Sequence, residues 1–129
     1  MSIAYLIIAH GSREEEGNRA FFDLVERFKA RRKGCVVVDA FLDVVSPNIP
    51  EGIDRCLKGG GKEVFVIPLM LFPGRHVSRD IPRLIEEARE RHPGVTFHYS
   101  GALSDEPMLL DLLEEKAEKA RDTDPTTER

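Results

Sequence analysis

The stretch IAYLIIAHGSR, residues 3–13, decides the fold of this chain. Its first seven residues form a continuous apolar run of strand length, which is typical of a parallel strand covered on both faces. The run ends at His10, and the pattern of an amphipathic helix follows directly. A strand that ends in polar residues and leads into a helix indicates the first unit of an α/β fold.

Three more units of the same kind follow along the chain. Strand patterns occupy residues 36–43, 63–71 and 95–99, and each is followed by an apolar stripe with helical spacing. The fold predicted from this alternation is a single α/β domain with a four-stranded parallel sheet and helices on both faces. We expect the flavodoxin-like strand order 2-1-3-4, in which the first and third strands are neighbours.

Local signals predict where each helix begins. Ser12 followed by Glu15 is a capping-box pattern, and Ser46 followed by Pro47 is typical of a helix start. The third helix is predicted to begin at Ser78 or Asp80. The fourth begins at Asp105, and its apolar positions are Met108, Leu109, Leu112, Leu113 and Ala117.

The composition is that of an ordinary globular protein. The chain has 129 residues, of which 41% are hydrophobic and 33% charged, and its net charge is -4. We therefore expect one domain at residues 1–121, followed by a disordered polar tail at 122–129. The sequence has no basic face for nucleic acid, no apolar run near the ~18 residues of a membrane span and no signal-peptide pattern. A cytoplasmic protein that binds neither nucleic acid nor membrane is expected.

The pattern His-x-Ser-Arg occurs twice, at residues 10–13 and 76–79, each time after an apolar run and before a helix. If both runs are parallel strands, His10 and His76 emerge at the carboxyl edge of one sheet, where open α/β folds bind ligands. Neighbouring strands lie roughly 4.8 Å apart, so the two imidazoles can share one ion. Two neutral imidazoles favour a borderline divalent metal.

The chain contains two other histidines, and one rival function shares part of the first motif. His92 ends a helix in a His-Pro-Gly sequence and His98 lies inside a strand pattern, so we expect both to be structural. A histidine followed by glycine after a strand also occurs in histidine phosphatases. Those enzymes have arginine before the histidine, whereas this chain has Ala9. The match to the phosphatases is therefore weak.

Three segments together resemble one family: AHGSR at 9–13, FLDVVSP at 41–47 and PLMLFPGRHVSRDIP at 68–82. They closely resemble the CbiX sirohydrochlorin chelatases, and the length is that of the small archaeal form, CbiX-S. The resemblance covers nearly the whole chain before the polar tail. It implies an enzyme without an organic cofactor that inserts Co²⁺ into sirohydrochlorin in anaerobic cobalamin biosynthesis. Nickel or iron insertion, and a metal or tetrapyrrole carrier without catalysis, remain as alternatives.

The resemblance also implies roles for particular residues and a second copy of the chain. His10 and His76 would bind the metal, and one of them would accept protons from the ring. Asp43 is a third candidate for the site, although it equally suits the turn before Ser46. The larger relatives have two lobes, so one lobe implies a homodimer. Residues expected to hold the carboxylates of sirohydrochlorin, or else to be solvated at helix starts, are Arg13, Arg75, Arg79, Ser12 and Ser78.

Overall fold

The computed structural model describes residues 2–42 and 45–123. Its centre is a sheet of four strands: β1 (Ile3–Ala9), β2 (Val36–Phe41), β3 (Glu63–Pro68) and β4 (Thr96–Tyr99). All neighbouring strands are parallel, and their order is β2-β1-β3-β4. The predicted sheet and its strand order are confirmed.

Helices cover both faces of the sheet. The helices are α1 (Glu15–Arg31), α2 (Ile49–Lys58), α3 (Ile81–Arg91) and α4 (Pro107–Thr123). Successive strand side chains point to opposite faces, so Leu6 joins the core under α2 and α3 while Ile7 joins the core under α1. Because β1 is buried on both sides, its sequence reads as a continuous apolar run.

Two helices begin at residues other than the predicted ones. The N-cap of α1 is Glu14, which makes no side-chain capping bond, so the predicted capping box of Ser12 and Glu15 is wrong. The N-cap of α2 is Asn48, not Ser46. Asn48 Oδ1 accepts from the Glu51 backbone N–H at 2.9 Å, and Glu51 Oε1 accepts from the Asn48 backbone N–H at 2.8 Å. This reciprocal pair satisfies two backbone donors, which explains why the helix begins there.

Two strands are shorter than their apolar sequence predicts. The second strand ends at Phe41 instead of residue 43, and the third ends at Pro68 instead of residue 71. A proline lacks the backbone N–H that would continue the ladder, which accounts for the early end of β3. Asp43 lies outside the described residues.

The chain enters α3 through a π-helical turn, His76–Asp80, which we call the His76 turn. The helical segment therefore begins two residues before Ser78, the earliest predicted start. Val77, in this turn, is buried in the larger core, and the Ile81 backbone N–H donates to the His76 carbonyl. Burial of Val77 thus fixes the turn against the sheet.

The last helix, α4, differs from the other three because none of its residues is buried. It begins at Pro107 instead of Asp105 and continues to Thr123, two residues past the predicted end of the domain at residue 121. Residues 124–129 of that tail lie outside the described part of the chain. The large apolar side chains that α4 exposes are Met108, Leu110, Leu112 and Leu113.

Candidate functional site

Two histidines meet at the carboxyl edge of the sheet. His10 directly follows β1, and His76 begins the turn reached from β3, the neighbour of β1. Their ring centroids lie 5.1 Å apart and their planes are 77° from parallel. The chain thus brings together two side chains that are 66 positions apart in the sequence, as the strand order predicts.

His76 is held by a neighbouring carboxylate. Its Nδ1 lies 2.8 Å from Asp80 Oδ2, one helical turn further along the chain. The His76 side chain is 44% exposed and that of Asp80 is 29% exposed, so both reach the crevice without being fully solvated. Sequence reasoning did not identify Asp80 as a site residue. The available signal was the four-residue spacing, which places two side chains on one helical face.

The His76 turn is fixed to the sheet at two further points. The hydroxyl of Tyr99, at the end of β4, donates to the Val77 carbonyl at 2.8 Å. Burial raises the pKa of Tyr99 to about 12, so the phenol keeps the proton that it donates at neutral pH. Ser78 Oγ donates to the Gly74 carbonyl at 2.8 Å. These bonds satisfy carbonyls around a turn whose π-helical geometry departs from the ordinary ladder.

His10 has a different environment. It is exposed, and it makes no hydrogen bond to residues 2–42 or 45–123. Gly11 follows with φ of 94°, a conformation that side-chain-bearing residues rarely adopt. The loop is closed beyond it, because the Ser12 backbone N–H donates to Asn18 Oδ1 and Asn18 Nδ2 donates to the Ser12 carbonyl. The structure therefore holds the backbone near His10, while the ring contacts His76 and has no hydrogen bond to a described residue.

Three arginines surround the two histidines in sequence. Arg13, Arg75 and Arg79 are all exposed, and none forms an ion pair with another described residue. Their guanidinium groups are available to an anionic ligand. The predicted serines already take part in local bonds, since Ser12 Oγ accepts from the Glu14 backbone N–H and Ser78 Oγ donates to a carbonyl.

Exposed apolar side chains lie on the same stretch of chain as His76. Leu71 is 48% exposed and Phe72 is 71% exposed, in the segment between β3 and the His76 turn. The segment before α4 is bonded to it, because the Leu103 backbone N–H donates to the Met70 carbonyl and that of Ser104 donates to the Leu71 carbonyl. Sequence reasoning did not identify these two apolar residues, although they lie within the segment 68–82 that contains His76.

Two imidazoles are the metal-binding groups that this geometry offers. The described residues contain no group of three or more His, Cys, Asp and Glu side chains that could hold an ion together. A pair of imidazoles binds a borderline divalent metal while leaving several coordination positions open.

Among the helices of the described chain, none is long and apolar enough to cross a membrane.

Comparison with known proteins places these features in a family. The CbiX family model matches residues 4–120. Sirohydrochlorin cobaltochelatase of Priestia megaterium is 34% identical over 116 residues, which cover 89% of this chain and 37% of the relative. Chloroplastic sirohydrochlorin ferrochelatase of Arabidopsis thaliana is 32% identical, over 86% of this chain and 49% of the relative. The chain thus spans less than half the length of these curated relatives.

A further relative matches over nearly its own full length, and a crystal structure shares the fold. Sirohydrochlorin cobaltochelatase of Sulfolobus acidocaldarius is 28% identical over 97% of this chain and 98% of the relative. The crystal structure of sirohydrochlorin chelatase SirB from Bacillus subtilis subspecies spizizenii, in complex with cobalt, superposes with a TM-score of 0.83. It is 27% identical, and the match covers 92% of this chain and 51% of SirB. From its sequence and its fold, this chain belongs to the CbiX family.

Proposed function

We propose that this protein is a sirohydrochlorin cobaltochelatase, which inserts Co²⁺ into sirohydrochlorin in anaerobic cobalamin biosynthesis. The observation that carries the proposal is the pair of imidazole rings 5.1 Å apart at the carboxyl edge of the sheet. Membership of the CbiX family supports it, as do relatives named for this activity. We expect the enzyme to act in the cytoplasm and to need no organic cofactor.

The two histidines would divide the chemistry between them. Insertion requires an ion that has lost part of its water shell and that keeps open positions for the pyrrole nitrogens. It also requires a group that accepts the two protons released by the ring. We assign His76 to holding the ion, because Asp80 fixes its ring, and His10 to accepting protons, because it is exposed and has no hydrogen bond to a described residue.

The flanking side chains suit the shape and charge of a tetrapyrrole. Sirohydrochlorin is a flat ring with carboxylate arms, so its binding calls for both apolar contacts and cations. Leu71 and Phe72 would contact the ring, and the exposed arginines Arg75 and Arg79 would bind its arms. Arg13 has the same proposed role, although it lies beside the acidic first turn of α1. Ser12 and Asp43 keep their predicted roles as further contacts. The Ser78 hydroxyl already donates its one proton to the Gly74 carbonyl, so it suits the turn better than a substrate carboxylate.

Cobalt is proposed over nickel and iron from the relatives, not from the ligands. The affinities of two imidazoles for Co²⁺, Ni²⁺ and Fe²⁺ are set mainly by the metal and only weakly by the site. Relatives named for cobalt and for iron both match this chain, and the matching SirB structures contain cobalt in one case and Fe³⁺ in another. The relative that matches over nearly its full length, from Sulfolobus acidocaldarius, is named for cobalt.

We also propose that the working form is a homodimer in which α4 packs on a second copy. The sheet face under α1 has an apolar cavity of about 230 Å³ beside that helix. Its lining residues are Ile7, Leu24, Val25, Phe28, Ile67 and Leu69. Within the described chain α4 buries no residue, so its leucines remain largely open to solvent. An uncovered groove and an uncovered helix of the same chain complement each other.

The length of the relatives supports a second copy. This chain matches 51% of the SirB chain, so a second lobe of equal size would stand where SirB has the rest of its chain. A tetrapyrrole held between two copies would be shielded from water on both faces. The partner would then complete a site that one copy leaves half open.

Analytical ultracentrifugation tests the dimer. A species of twice the chain mass of 14.6 kDa is expected for the natural protein. Leu113→Glu should shift it to the monomer, because it places a charge on the apolar side of α4. Glu118→Lys, on the opposite side of the same exposed helix, is the matched control and should leave the dimer intact. A natural protein that is monomeric at tens of micromolar would refute the proposed dimer.

The chelatase itself is tested by anaerobic absorbance measurements with sirohydrochlorin in excess over enzyme. Co²⁺, Ni²⁺ and Fe²⁺ are supplied in turn, and an enzyme-free mixture serves as the blank. Many ring equivalents metallated per enzyme establish catalysis and rank the metals. Stoichiometric binding without turnover would identify a carrier. Phosphate release from a model ester without added metal would instead support the histidine phosphatase interpretation.

A further inference from the structure

We propose that Asp80 is a positioning residue that fixes the tautomer of His76 and so leaves its Nε2 lone pair available to a metal ion. The metal-binding part of this inference rests on the proposed function. The tautomer part rests only on the geometry of the pair. Nδ1 of His76 and Oδ2 of Asp80 lie 2.8 Å apart, which is the distance of a charge-assisted hydrogen bond.

The chemistry of the pair leaves one arrangement of the proton. An ionised carboxylate accepts hydrogen bonds and cannot donate them. Nδ1 of a neutral His76 must therefore carry the proton, and Nε2 must carry the lone pair. A metal ligand needs that lone pair, because a protonated ring nitrogen cannot coordinate an ion. Asp80 thus prepares His76 to bind a metal before any metal arrives.

The backbone of the His76 turn holds both partners in place. The Ile81 N–H donates to the His76 carbonyl, and the Tyr99 hydroxyl donates to the carbonyl of the buried Val77. The His76 ring and the Asp80 carboxylate, at the two ends of this turn, therefore extend from fixed positions. A hydrogen bond between groups on a fixed backbone loses little entropy when it forms.

His10 lacks the kind of carboxylate partner that His76 has among the described residues. His10 makes no hydrogen bond to any described residue, so nothing in that part of the chain selects its tautomer. Asp80 also holds the His76 ring in one orientation, which favours coordination through Nε2. His76 should therefore be the stronger of the two ligands.

A second pair elsewhere in the molecule provides a matched control. His98 Nε2 lies 2.9 Å from Glu63 Oε2, and the side chains are 45% and 30% exposed. These values nearly equal the 44% and 29% of His76 and Asp80. His98 lies on the edge strand β4, outside the proposed metal site. Breaking both pairs in the same way separates an effect on the metal from an effect on any His–carboxylate pair.

The first test reads the tautomers in the metal-free full chain by ¹⁵N NMR of the imidazoles at pH 8. His76 should be protonated at Nδ1 alone in the natural protein. Asp80→Asn should give a mixture, because the Asn amide can donate to the ring as well as accept from it. Asp80→Glu should restore the single tautomer. A natural His76 that is protonated at Nε2, or an Asp80→Asn variant without change, would refute the proposal.

The second test measures Co²⁺ affinity by anaerobic equilibrium dialysis with Co²⁺ alone. Asp80→Asn should weaken binding by roughly 10–100-fold, the usual cost of losing such a partner. Glu63→Gln should leave Co²⁺ binding unchanged while altering the His98 signals. Equal affinities for the natural protein and Asp80→Asn would refute the metal-binding part. A fixed tautomer in a protein without chelatase turnover would refute the proposed function and leave the role of Asp80 standing.

Discussion

The two His-x-Ser-Arg segments have the same sequence pattern and different structures. Residues 10–13 form an extended loop with Gly11 at φ of 94°, whereas the second segment lies in the π-helical His76 turn. The residue after each histidine explains the difference. Gly11 permits a conformation that other residues avoid, while Val77 is driven into the core and brings its turn against the sheet. A repeated motif can thus mark one site without repeating a local structure.

The difference extends to the rings themselves. His76 has a carboxylate partner at 2.8 Å, and His10 has none within the described residues. A fixed ring suits a ligand that must offer its lone pair in one direction. A free ring suits a group that must turn from the metal toward the substrate. The pair therefore supports a division of roles between metal binding and proton transfer.

The largest expected effect follows from removing either ring. His76→Ala should lower the rate of Co²⁺ insertion by more than about 100-fold, since the loss of an outer partner alone costs roughly 10–100-fold. His10→Ala should also abolish turnover, but it should retain part of the Co²⁺ binding that His76→Ala loses. Insertion rates and Co²⁺ dialysis on both variants measure the contrast.

His92→Ala is the control for this comparison. His92 ends α3 and lies away from the paired rings, so its removal should leave the insertion rate unchanged. Equal losses of Co²⁺ affinity in His10→Ala and His76→Ala would contradict the division of roles. Full activity in both would exclude the site.

The local backbones should respond to substitution with different stability costs. Val77→Ala removes apolar carbons from a side chain that is 5% exposed, and we expect a loss of about 2 kcal/mol in the free energy of unfolding. Gly11→Ala forces a side chain into positive φ, which costs roughly 1–2 kcal/mol. Urea unfolding of both variants gives the two values.

Gly94→Ala is the matched glycine control. A Cβ at residue 94 would meet nothing within 4 Å, so this variant should stay within about 0.5 kcal/mol of the natural protein. A loss in Gly11→Ala no larger than in Gly94→Ala would mean that positive φ costs nothing in the first segment. The two segments would then differ less than their conformations indicate.

The sequence predicted the meeting of the two histidines because that meeting depends on strand order. Adjacent apolar runs and helix patterns were enough to place β1 beside β3, and parallel strands end at one edge. The role of Asp80 was not predicted, because a His and an Asp four residues apart also occur on solvated helices. Only the position of the His76 turn against the sheet shows that this pair borders the crevice.

Two other details lay beyond sequence reasoning for different reasons. Ser46 and Asn48 are both good N-cap residues, and the deciding signal was Glu51, three residues after Asn48. The position of α4 could not be read from its apolar residues. An amphipathic pattern shows that a helix has a face to cover, but it does not identify what covers it.

The smallest expected effect concerns the hydroxyl that anchors the second segment. Tyr99→Phe removes the donor to the Val77 carbonyl, and we expect about 1 kcal/mol less stability at neutral pH. Burial also raises the pKa of Tyr99 from 10.0 to about 12. Between these values the unfolded chain has released the phenol proton and the folded chain has kept it. The natural protein should therefore lose stability as pH rises from 10 to 12, and Tyr99→Phe should lose less.

Urea midpoints between pH 8 and pH 11 measure this difference, and Cys56 must be considered beside it. Burial raises the pKa of that thiol from 9.0 to about 12, so its contribution is already being lost above pH 9 in both proteins. Cys56→Ala in each background removes the shared part. A parallel loss of stability in both chains above pH 10 would show that the phenol is not shielded from water. Equal stability of the two chains at pH 8 would show that the phenol does not anchor the His76 turn. The second segment would in that case be held mainly by the burial of Val77.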